Sequence, residues 1–131
     1  MFPEVRIRRD RFAREDYANT AGGERKSCTV GGKTPTGRHA HCIIVDDPID
    51  PQGVRSEVEL ETARRFMTEI IPSRMVDKTV TPTVLVMQRL HPRDPTGVLL
   101  ENEKKDGTTP IRHICLPAEE AGGGGERGIG K

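Results

Sequence analysis

The chain has 131 residues, with 21 Lys plus Arg against 20 Asp plus Glu and a formal net charge of +1. That length allows one modest domain, and the near-neutral balance excludes a strong nonspecific pull on nucleic acid or a membrane surface. Only 33% of residues are hydrophobic and none is Trp, so the core is small; a piece of something larger and a weakly stable small domain with long tails both fit.

Three cysteines, Cys28, Cys42 and Cys115, are odd in number and widely spaced. The charged opening "MFPEVRIRRDRF" is no signal peptide, and no apolar run approaches the roughly 20 residues of a membrane span. Reduced thiols in the cytoplasm follow as the expectation. Cys28, His39, His41 and Cys42 lack the paired spacing of a structural zinc site, and Cys42 reads as part of a buried strand.

In chain order, residues 1–27 form a charged N-terminal segment with little apolar periodicity. "VRI" suits the end of a strand and the remainder a loop or frayed helix, with interleaved charges on a solvated surface. "TVGGKTPTGRHAH" is a turn-rich connection. Its glycines and lysine do not have phosphate-loop spacing, and they lead into a strand rather than a helix.

"CIIV" at 42–45 is a short β-branched run, as expected of a strand buried on both faces of a parallel sheet. "SEVELETARRFMTEIIPSRM" follows as a helix. Ser56 and Glu59 match a capping box. Leu60, Ala63, Met67 and Ile70 recur at helical spacing, Phe66 and Ile71 widen the stripe, and Pro72 is the expected stop. "TVLVM" at 83–87 is a second buried strand. Strand, helix and strand of these lengths make a βαβ unit with a right-handed crossover. A short helix over 97–105, a weak third strand over 111–116 and a flexible glycine-rich tail over 119–131 complete the reading.

The first strand runs directly into Asp46 and Asp47. The second runs into Gln88 and Arg89. In open parallel sheets, ligands bind beyond the carboxyl ends of the strands. Two neighbouring carboxylates repel unless a positive group lies between them, and a magnesium ion would resolve the conflict. Magnesium prefers one or two carboxylates, water and substrate phosphate oxygens. The pattern therefore indicates a magnesium–phosphate site with Asp46 and Asp47 on the metal. The bland reading of the same residues is an acidic turn after a core strand, a surface ion pair for Arg89 and a solvated loop histidine at 91.

"TPTGRHAHCIIVDDPID", the helix ending "IIPSRM", then "TVLVMQRLHPRDPTGVLL" and "HICLPAE" resemble, in that order, the large subunit of tailed-phage terminases. These are the motors that hydrolyse ATP to package DNA into procapsids. The resemblance covers about residues 30–118. It implies an α/β fold: a partial P-loop NTPase of the additional-strand class, with a parallel sheet and a crossover helix, in which 28–118 form the C-terminal part of the ATPase domain. It also implies ATP and magnesium as ligands, with Asp46 as the Walker B acid. Asp47 would be the catalytic base, one methylene shorter than the glutamate of many members. Gln88 and Arg89 would be the coupling segment that senses the terminal phosphate. His91 and Asp94 fall in the matching stretch without a defined role. Implied partners are double-stranded DNA, a portal protein, a small terminase subunit and neighbouring copies in a ring, within the bacterial host cytoplasm during phage assembly.

The departures are specific. No Walker A sequence is present, so the strand and lysine that cradle the phosphates are missing, and the isolated chain is expected to hydrolyse little or no ATP. The edges of a sheet lacking that strand would be unpaired. Two alternatives stay open: a fragment of another P-loop motor such as a helicase, and a non-catalytic interaction module whose acidic loop caps a sheet.

Overall fold

The computed structural model describes residues 4–32, 38–107 and 110–116. The expected tail over 119–131, the end of "LPAE" and most of "GGKTPTG" lie outside these residues.

The N-terminal segment differs from the expectation of loop or frayed helix. It forms a three-stranded antiparallel sheet, with β1 (Ile7–Phe12) beside β2 (Asp16–Asn19) and β2 beside β3 (Glu24–Lys26). Apolar alternation was absent from the sequence because this sheet buries almost nothing. Among its described residues only Ala18 is buried, while Phe12 is 71% exposed. Cross-strand charges and a tight turn hold it instead. Arg11 donates to Glu24 at 2.6 Å, Lys26 pairs with Asp16, and the Arg25 guanidinium lies 5.7 Å from the Tyr17 ring centroid. Asn19 Oδ1 accepts from the amides of Ala21 and Gly23, closing the β2–β3 turn around Gly22, whose φ is +86°.

The second unit is mixed α/β. Strand β4 (Ile43–Asp46) pairs in parallel with β5 (Thr83–Val86), in the register Ile43 with Thr83 through Asp46 with Val86. Between them run a 3₁₀ turn (Gly53–Arg55), helix α1 (Glu57–Arg65), a π-helical turn (Phe66–Ile70) and a last turn α2 (Ile71–Ser73). Ser56 caps α1, its Oγ accepting from the Glu59 amide at 3.4 Å. The reciprocal half of the expected capping box is not made, because the Ser56 amide donates to the Gly53 carbonyl.

Pro72 does not stop the helix where expected. The chain continues helically to Ser73 after the π turn, in which the Ile71 amide reaches back to Phe66. A proline inside a helix has no amide to donate and crowds the preceding turn; widening that turn accommodates it.

The helical stripe forms the core as its spacing predicts. Val45, Phe66, Met67 and Ile71 make one cluster, flanked by Ile43, Leu85 and Leu99. Ile49, Leu60 and Ala63 make a second beside Val54 and Met87. The strands, however, are not buried on both faces. Ile43, Val45 and Leu85 face the helices, whereas Ile44 is 71% exposed and Val84 and Val86 lie on the same open face. Cys42 precedes the strand and is exposed, as are Cys28 and Cys115. Both outer edges of the pair are unpaired among the described residues.

Helix α3 (Pro95–Asp106) is longer than the expected 97–105, and Gly107 ends it at φ +59°. Residues 111–116 form no strand; Ile114 and Leu116 project into solvent. Among the described residues no helix is long and apolar enough to cross a membrane.

Met67, within the π turn, is buried against Val45 of β4. Met67→Ala is expected to cost about 2–5 kcal/mol in urea unfolding, whereas Val84→Thr, on the open face, should change stability little.

Candidate functional site

The parallel ladder decides where the acids stand. Its last rung pairs Asp46 with Val86, and the Asp47 amide extends it by donating to the Val86 carbonyl at 3.0 Å. Asp46 and Asp47 therefore leave the same strand ends as Gln88 and Arg89, at the carboxyl edge of the sheet. All four are exposed. Asp46 shares the open face with Ile44, because side chains alternate along a strand.

Asp47 has a positive φ, +41°, alone among the described non-glycine residues. Pro48 disfavours right-handed helical backbone at the residue before it. The chain reverses instead through the left-handed region, which Asp enters more readily than most residues. This gives a physical reason for aspartate rather than glutamate at 47. Beyond it, Asp50 Oδ1 accepts from the amides of Gln52 and Gly53, both at 2.7 Å, and turns the chain toward α1.

Arg89 does not pair with Asp46 or Asp47. Its Nε donates to Asp94 Oδ2 at 3.0 Å. Asp94, given no role from the sequence, is the organising residue of this loop and is completely buried. Oδ2 also accepts from the amides of Leu90 at 3.0 Å and His91 at 3.3 Å, while Oδ1 caps α3 through the Gly97 amide at 2.8 Å. The "D-P-x-G" spacing, an N-cap followed by proline at the first helical position, was the signal that could have found it.

Burial pushes the Asp94 carboxyl up, but the amides of Gly97, His91 and Leu90 and the Arg89 guanidinium outweigh it and hold the group below its ordinary value of 3.8. His91 Nδ1 faces the Arg93 amide at 3.1 Å. The Arg93 guanidinium reaches Glu57 Oε1 at 2.5 Å, linking this loop to the first turn of α1.

Gly97 is required by close approach. A Cβ there would lie 1.9 Å from the Pro92 carbonyl oxygen and 3.3 Å from Arg89 Nη2. The guanidinium thus rests over the first turn of α3. Its side chain is 41% exposed, and its terminal nitrogens make no hydrogen bond among the described residues.

Two exposed carboxylates fit what magnesium asks of a protein when water and phosphate complete its shell. Among the described residues no group of three or more His, Cys, Asp or Glu is arranged to hold a metal without such help. A groove along α1 and the π turn, lined by Gly31, Gly32, Glu57, Glu61, Arg65 and Phe66 among others, includes none of the four edge residues.

Comparison of the chain with protein-family models, curated proteins and solved structures returns no match.

Because Asp94 is held below its ordinary value, its contribution to stability is complete above about 3.8 and is lost as pH falls through the folded-state value. In urea unfolding across pH 2–6, the stability difference between wild type and Asp94→Asn should be largest at the upper end and shrink on acidification. Gly97→Ala should lower the melting temperature by several degrees, since the Pro92 carbonyl must move.

Proposed function

We propose that this chain supplies the acid-bearing strand and the coupling strand of a phosphoryl-transfer motor, as part of a large terminase subunit that hydrolyses ATP to package phage DNA. The observation that carries the reading is the parallel pairing of β4 with β5, which brings Asp46 and Asp47 to the same sheet edge as Gln88 and Arg89. In this reading Asp46 holds magnesium through water. Asp47 accepts a proton from the attacking water and orients it. Gln88 and Arg89 contact the terminal phosphate. Magnesium, when bound, neutralises charge on the phosphate oxygens; the protein's part is positioning and charge complementarity. The P-loop fold, ATP, the DNA, portal, small-subunit and ring partners, and the setting in the host cytoplasm all belong to this proposal and rest on the motif order.

A second reading is favoured by a different observation. The open apolar row of Ile44, Val84 and Val86 suits an interaction module, since parallel sheets are ordinarily covered on both faces. A helicase-type motor would share the acids and the sensing strand.

In a polypeptide joining these residues to a phosphate-binding loop, Asp46→Ala and Asp47→Ala should each lower magnesium-dependent ATP hydrolysis by about a hundredfold or more while leaving the circular dichroism unchanged. Hydrolysis surviving both substitutions would sink the motor reading and favour the interaction module. On this chain alone, Mn²⁺ should broaden the amide resonances of Asp46 and Asp47 selectively, and Asp46→Asn should remove the effect.

A further inference from the structure

We infer that Asp94 is the positioning residue for Arg89 in phosphate recognition. It ties back the Nε of the guanidinium and leaves the two terminal nitrogens for an anion at the sheet edge. The inference rests on the phosphate-site reading above and adds to it a residue outside the acidic pair.

Three observations carry it. Asp94 is fully buried, yet the group it binds is 41% exposed, so the carboxylate works from beneath the surface on a side chain that faces solvent. Its contacts fix it in place: three backbone amides, from Leu90, His91 and Gly97, converge on its two oxygens. A carboxylate so held is a rigid anchor, and a charge-assisted bond from it orients the guanidinium plane. Finally, Arg89 Nη2 lies close over Gly97, where any larger residue would meet the Pro92 carbonyl and the guanidinium. The first turn of α3 thus forms a floor under the arginine. A free arginine side chain would lose rotamer freedom on meeting a phosphate; one already anchored at Nε has lost much of it beforehand.

The anchor also has a structural duty as the cap of α3, and the test must separate the two. Asparagine and serine are both competent N-caps, but neither offers an ionised oxygen to Nε. Magnesium pyrophosphate is the probe, titrated into the whole chain and followed by the NMR shifts of the Arg89 side chain. Wild type should bind. Asp94→Asn and Asp94→Ser should weaken binding by about tenfold or more with α3 intact. Arg89→Lys, which keeps the charge but loses the fork, should weaken it similarly. The double variant Asp94→Ser with Arg89→Lys should be little worse than either single variant, since the two residues act as one unit.

Additive losses, or unchanged affinity in the Asp94 variants while Arg89→Ala abolishes binding, would overturn the positioning role and leave the phosphate site standing. Failure of wild type to bind magnesium pyrophosphate would overturn both. Should the Asp94 variants fail to fold, wild type decides: slow exchange of the Arg89 Nε proton supports the anchor, and solvent-like exchange removes it.

Discussion

Parallel strands impose a constraint that antiparallel ones do not. They cannot be joined by a tight turn, so something long must leave the end of the first strand and return to the start of the second. Here that connection is the segment from Asp47 to Pro82, and its helical stripe supplies most of the core. Val45 on β4 and Leu85 on β5 are covered because Phe66, Met67 and Ile71 lie across them. The same constraint puts both strand ends at one edge. The acids of one strand and the Gln–Arg pair of the other become neighbours through topology, without any direct bond between them.

A buried charge forms the other organising centre. An ionised carboxylate removed from water is costly unless its lone pairs are filled. Asp94 meets that condition with three amides and one guanidinium. One residue therefore starts α3, shapes the loop after β5 and restrains Arg89. Arg93 extends the linkage to α1 through Glu57. The loop after β5 is thereby tied to the first turns of two helices, α3 through Asp94 and α1 through Glu57.

The two sheets are built on different physics. The antiparallel one relies on ladder bonds and cross-strand charge pairs around the lone buried Ala18. The parallel one relies on apolar packing against a helix. Periodicity made the second visible and hid the first: a strand such as "IRRDRF", with no covered face, has no reason to alternate. The converse holds at "IRHICL": its apolar residues fit a strand, yet it has no partner strand among the described residues.

From the sequence alone came the βαβ order, the helical stripe of Leu60, Ala63 and Met67, the Ser56 cap, and the arrival of Asp46–Asp47 and Gln88–Arg89 at strand ends. All of these depend on spacing along a few consecutive turns or rungs, which the chain carries locally. Tertiary structure alone decided that the sheet is covered on one face, that Asp47 turns through positive φ, that the helix passes Pro72 by a π turn, and that Arg89 belongs to Asp94. Each of these depends on which distant atoms fill the space around a residue. Burial of a charge, in particular, is a property of its surroundings, and no local pattern states whether water will reach it.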